Sequence, residues 1–118
     1  MVEEALKELK ATRGVRVAAL LSEDGFVVEE VREEGAPDPG LLSARAATVL
    51  GTAQALAQTL GQEGPGLEEV MVEYPEGALL LAPLPGHHLL LLLDGVKSLG
   101  RARLTLKRVL PKLEEALR

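Results

Sequence analysis

The chain has 118 residues, 47% of them hydrophobic and 26% charged, with a net charge of −5, no cysteine, one Tyr and one Phe. That length supports one domain with a core that folds unaided, and the lack of cysteine excludes disulfides, thiolate metal sites and cysteine nucleophiles. An acidic chain with so few aromatic rings offers neither the positive field nor the stacking platforms that nucleic acid needs.

The N-terminal MVEEALKELK is amphipathic and acidic, unlike a signal peptide, and Val2, Ala5, Leu6 and Leu9 mark a short first helix closed by Gly14 at its C′ position. Val15 to Ser22 is apolar at almost every position, as a strand buried on both faces requires. Ser22-Glu23-Asp24-Gly25 then makes a hairpin turn into a second strand, Phe26 to Val31. Gly35-Ala36-Pro37 is a loop, after which Asp38 caps a long helix with Pro39 at its first position and Gly61 to Gly66 ends it. Leu67 to Tyr74, the turn Pro75-Glu76-Gly77, Ala78 to Leu84, the turn Pro85-Gly86 and His88 to Leu93 read as a three-strand meander. Ser98 caps a last helix in which Leu99, Ala102, Leu106, Val109, Leu110, Leu113 and Leu117 form one stripe, and Pro111 predicts a local bend. The longest leucine run, Leu89 to Leu93, is far too short to insert into a bilayer, so the chain reads as a cytoplasmic protein.

The order α-β-β-α-β-β-β-α makes residues 1–118 a single α/β domain. Strands 1, 4 and 5 are apolar on both faces and belong in the centre; strands 2 and 3 mix in charges and suit the edges. Hairpin pairing of 1 with 2 and meander pairing of 3, 4 and 5 leave the order 2-1-5-4-3, with the long helix on one face and the terminal helices on the other. Glu29, Glu30, Glu33 and Glu34 protect the strand 2 edge, whereas Val70, Met71 and Val72, with Tyr74 after them, present a cleaner edge on which a second chain can extend the sheet.

The long helix, Leu41 to Gly61, contains one charged residue, Arg45. Leu42, Ala46, Val49, Leu50, Ala53, Leu56, Ala57 and Leu60 fall into a stripe expected to lie on the sheet. On the opposite side are Ala44, Ala47, Thr48, Gly51 and Ala55, and the subset 44, 48, 51, 55 keeps the spacing of a helix-helix seam. Gly51 strengthens that reading, because glycine inside a helix costs about 1 kcal/mol relative to alanine. An alanine-rich helix with a neutral solvated face is the alternative.

Candidate chemistry is sparse. His87 and His88 are the only histidines and, as strand neighbours, point to opposite faces, a poor arrangement for a metal. Asp94 reads as a strand end that bonds the turn amides rather than as a buried acid. Gly95-Val96-Lys97-Ser98 lacks the Gly-Lys adjacency of a phosphate loop. The basic run Lys97, Arg101, Arg103, Lys107, Arg108 and Lys112 reads as a solvated helix face in preference to a patch for an acidic partner or lipid headgroups. No catalytic, cofactor or metal residues are assigned. The lack of Ile and Asn fits a GC-rich, heat-adapted host.

The element order, the Gly14-Val15 start of strand 1 followed by LLSEDGFVV, the alanine-rich second helix, VMVEYPEGALLLAPL, the leucine strand ending in Asp94, and Leu99-Gly100 opening the last helix resemble the roadblock family of dynein light chains. Bacterial and archaeal members look most similar, including the gliding-motility partner of a small Ras-like GTPase. The resemblance implies a non-enzymatic homodimer that pairs strand 3 across a two-fold axis and packs the second helices together. It also implies a docking platform for a Ras-like GTPase on those helices, in which Arg45 and Thr52 are the residues placed to meet the partner. Stimulated GTP hydrolysis and simple tethering by a scaffold subunit both stay open. A small-molecule sensor is a third reading, disfavoured by leucine-filled strands.

Overall fold

A computed structural model describes residues 1–61 and 66–118; the expected end of the long helix between Gly61 and Gly66 falls mainly outside the described residues. A five-stranded antiparallel sheet runs in the order β2-β1-β5-β4-β3. Its strands are β1 (Val15–Ser22), β2 (Val27–Arg32), β3 (Val70–Tyr74), β4 (Gly77–Leu84) and β5 (His87–Leu93). The helices are α1 (Val2–Ala11), α2 (Ser43–Gly61) and α3 (Leu99–Ala116). The expected sandwich and strand order are therefore present.

The alternation along the central strands divides the core in two. Ala18 and Leu20 of β1, Leu80 and Ala82 of β4, and Leu89, Leu91 and Leu93 of β5 face α1 and α3, and pack with Leu6, Leu9, Ala102, Val109 and Leu113. Val17, Ala19 and Leu21, Leu81, and Leu90 and Leu92 face the other way, where α2 contributes only Ala46 and Leu50. β2 takes a bulge opposite Leu20 and Leu21, which kinks the edge already guarded by Glu29 and Glu30.

Several boundaries differ from the sequence reading. α1 ends at Thr12, whose extended backbone breaks the helix, so Gly14 is not its C′ residue. Gly14 instead has φ +94°, and a Cβ there would fall 2.0 Å from Ser98 Oγ and 2.9 Å from Asp94 Oδ1. The glycine is required by backbone conformation and by close approach together. Asp38 caps a 3-10 turn, Pro39–Leu41, by accepting from the Gly40 amide at 2.9 Å, and α2 begins only at Ser43. β2 is shifted by one residue, leaving Phe26 in the turn. β3 is shorter than expected, because 66–69 run past β4 without pairing. Ser98 does not cap α3 with its side chain: its hydroxyl donates to Asp94 Oδ1 at 2.5 Å, so this exposed carboxylate bonds a hydroxyl rather than turn amides. α3 runs through Pro111, which is exposed, without a break in the helix.

The basic residues of α3 do more than meet solvent. Arg108 donates to Glu8 at 2.7 Å and Lys112 approaches the same carboxylate at 3.4 Å, tying α3 to α1. These contacts, the Arg108 hydrogen bond foremost, hold the Glu8 carboxyl below its ordinary pKa. Arg103 grips Glu69 with both Nε and Nη2, which raises the guanidinium's pKa and anchors the approach to β3.

Candidate functional site

α2 is loosely held for a helix of its length. Of 19 residues, only Ser43, Ala46 and Leu50 are buried, and none from Gly51 to Gly61 is. Most helical stability in proteins comes from packing an apolar face. Here the second half of the helix lacks that support within one chain. The inward line is Ala46, Leu50, Ala53 and Ala57, narrower than the predicted stripe. Val49, Leu56 and Leu60 are 39%, 60% and 77% exposed, which corrects their expected place in the core. The helix meets the sheet along one line over β4, and residues about 50–90° to the side of that line miss it.

The predicted seam is outward. Ala44, Thr48, Gly51 and Ala55 are all exposed, and an added Cβ at Gly51 would meet nothing within 4 Å. Thr48 and Thr52 bond the carbonyls of Ala44 and Thr48 at 3.2 and 3.1 Å, so their hydroxyls require nothing from a partner. Arg45 and Thr52 lie between the small seam and the row of large apolar side chains. Arg45 has no carboxylate within 4 Å among the described residues.

Two residues that sequence reasoning missed extend this surface. Gly25 is buried with φ +94°, and its ideal Cβ would come 3.0 Å from the Ala44 Cα, so the β1–β2 turn is pressed against the start of α2. Phe26, 70% exposed, and Leu41, 78% exposed, follow and precede that contact. Nothing in the local pattern of either segment foretells the approach, since it depends on where the helix crosses the sheet.

The β3 edge completes the face. Antiparallel partners share a side of the sheet, so Val70 and Val72, opposite Leu81 and Leu79, lie on the α2 side, as does Tyr74 opposite Gly77. Met71, opposite Leu80, lies on the α3 side. Met71, Val72 and Tyr74 are 37%, 40% and 41% exposed, while Val70 is partly packed into the α2-side core. The Tyr74 ring folds over Gly77, where a Cβ would stand 2.6 Å from its hydroxyl oxygen. The structure thus places every sequence-assigned residue of the helix and three of the four on β3 around one sheet face, with an unpaired strand edge beside it.

His87 and His88 do point to opposite sides: His87 Nδ1 lies 3.0 Å from the Pro85 carbonyl oxygen, and His88 is buried. Among the described residues no group of three or more His, Asp or Glu side chains is placed to hold a metal ion. No helix is long and apolar enough to cross a membrane among those residues.

Comparison with known proteins agrees with this architecture. Residues 1–94 match the model of the Roadblock/LC7 domain. An uncharacterized protein of Methanocaldococcus jannaschii, MJ0714, is 31% identical over 114 residues, 97% of this chain and 94% of that one. Among solved structures, the gliding protein MglB from Thermus thermophilus superposes with a TM-score of 0.79 at 27% identity, over 96% of this chain and 85% of that one. A second structure, described as MglB with tetrameric arrangement, gives the same TM-score of 0.79, 27% identity and coverages of 96% and 85%.

Proposed function

This chain belongs to the Roadblock/LC7 family, and from that premise we propose that it is a non-enzymatic, cytoplasmic homodimer that binds a small Ras-like GTPase. The observation that carries the reading is the unsupported outer face of α2, with exposed large apolar side chains on a helix bearing a single charge. Two copies paired along β3 join their five-stranded sheets and bring the two α2 helices together, covering Ala44, Thr48, Gly51 and Ala55. The assembled state of an MglB structure with the same fold supports association of copies.

Pairing of the helices leaves a platform of Phe26, Leu41, Arg45, Val49 and Thr52 for the GTPase. A mostly apolar surface with one cation suits a partner whose rim is acidic. Its chemistry also bears on mechanism. Arg45 sits on the first turn of α2, between the buried Ser43 and Ala46, and the threonine hydroxyls are taken by the helix's own carbonyls, so the platform supplies no group built to reach into a nucleotide site. Acceleration of hydrolysis, where it occurs, acts by repositioning the GTPase's own residues; tethering without acceleration is the second reading, favoured by the same lack of polar side chains.

The deciding experiment measures binding of a Ras-like GTPase of the host in its GDP and GTP-analogue states, together with single-turnover GTP hydrolysis with and without this protein. A GTP-state preference with faster hydrolysis supports the regulator, and binding without either supports the scaffold. Binding that survives Leu41→Asp and Phe26→Asp together refutes the platform.

A further inference from the structure

The opposite side of the molecule carries a second exposed anchor that the α2 platform does not use. Leu104, on the outer face of α3, is 70% exposed. Helical spacing sets Arg101 at i−3 and Arg108 at i+4 beside it, both exposed, while Lys107 turns to the other flank of the helix, toward Glu69 and Leu110. Between this face and the end of α1 lies an open cleft of about 440 Å³ whose walls include Ala11, Arg101, Leu104 and Arg108.

We propose that this cleft is a docking site for an acidic helical segment of a partner protein, which inserts a large apolar side chain beside Leu104 and sets carboxylates against Arg101 and Arg108. Charge argues for that occupant. Residues 95–118 hold seven basic and two acidic side chains, +5, whereas 1–94 hold six and sixteen, −10, so α3 is the positive pole of an acidic protein. Its cations are incompletely used. Among the described residues Arg101 bonds the Arg13 carbonyl and Ser98 Oγ and has no carboxylate within 4 Å. Glu8, the one carboxylate on the cleft wall, is committed to Arg108 and Lys112.

The floor suits an apolar insertion. Thr12 donates to Thr105 Oγ1 at 2.8 Å and Thr105 to the Arg101 carbonyl at 3.2 Å, so the polar atoms there are satisfied before any partner arrives. Arg101 and Arg108 are two turns apart, about 10.5 Å along the axis, with Leu104 between them. A second helix with acidic residues two turns apart flanking a leucine matches that spacing. A single leucine is too small an apolar footprint for a membrane surface, which needs a continuous apolar face.

The test uses the full chain and a fluorescein-labelled peptide of repeated Glu-Ala-Ala-Leu-Ala-Ala-Ala blocks, which sets glutamates two turns apart with a leucine between them, read by anisotropy. Saturable binding that weakens with salt is expected, and Leu104→Asp and Arg101→Glu should each weaken it about tenfold. Both positions are exposed, so melting temperatures should be unchanged. Arg45→Ala, on the other face, should have no effect. The proposal is overturned by absence of saturation, by equal binding of the variants, or by equal affinity for a peptide of Glu-Ala-Ala-Ser-Ala-Ala-Ala blocks, which would reduce the effect to charge alone. Preference for phosphatidylserine vesicles would replace the protein partner with lipid, and a smaller assembly mass for Leu104→Asp would replace it with a second copy. Dimerisation and GTPase binding through α2 are measured separately on the same variant and should be intact, so failure here leaves that reading standing.

Discussion

Substitution at Gly51 separates a helix face built for contact from one merely left in water. Within one chain the position is free: no atom lies within 4 Å of an added Cβ, and the glycine is in mid-helix. Gly51→Ala should then strengthen the isolated fold by about 1 kcal/mol through helix propensity, raising the melting temperature by about 4 °C in a domain of this size. Gly51→Leu would be nearly as benign for a monomer. In a dimer whose α2 helices meet at this point the sign reverses. Overpacking costs about 1–3 kcal/mol per site, and two-fold symmetry counts the substitution twice. The dimer should therefore lose at least about 2 kcal/mol, roughly thirtyfold in Kd. Sedimentation velocity over a dilution series gives the Kd, and calorimetry at concentrations below it gives monomer stability. A Gly51→Leu variant that melts higher and dimerises as well as the parent would refute the seam and, with it, the reason offered for glycine in this helix.

Proline at Met71 and at Val72 should act differently, because successive strand amides point to opposite sides: one substitution breaks a β3–β4 bond and lowers monomer stability, while the other removes an outward donor and impairs dimerisation alone. Hydrogen exchange at 70–73 should be slow in the dimer and fast on dilution; fast exchange in both would count against edge pairing. Gly14→Ala forces a left-handed backbone on a residue whose Cβ would overlap Ser98, and should cost about 3 kcal/mol; a loss under about 1 kcal/mol by urea titration would contradict the close packing described. Glu8 has a folded pKa below its unfolded one, so its contribution is present above the ordinary carboxylate range and is lost as pH falls through the folded value. Glu8→Gln should accordingly lower the melting temperature at neutral pH, with the gap closing on acidification; a gap that persists in acid would assign it to packing.

What the sequence determined by itself was everything recorded in short-range periodicity. Doubly apolar β1, β4 and β5 had to be central and the charged β2 an edge, because a charge cannot be buried unpaired. The turns at Asp24-Gly25 and Pro85-Gly86, with Gly25 and Gly86 at positive φ, set the hairpin partners. α3, with an apolar stripe against a charged back, could face only one way: Leu99, Ala102, Leu106, Val109 and Leu113 of the stripe are buried with Thr105, and Leu110 and Leu117 are partly buried against the same core. α2 was legible as a helix with two unusual faces, including the outward seam. Which apolar side chains of α2 rest on their own sheet was not legible. A leucine kept for a second chain and one kept for the core leave the same mark on a helical wheel, and only the line along which α2 crosses the sheet sends Leu50 inward and Val49, Leu56 and Leu60 outward. The Phe26–Leu41 neighbourhood, the closure of Gly14 on Ser98, and the Glu8–Arg108 and Glu69–Arg103 pairs were likewise decided by tertiary structure. Each joins segments whose separation along the chain carries no information about their separation in space until the core has packed.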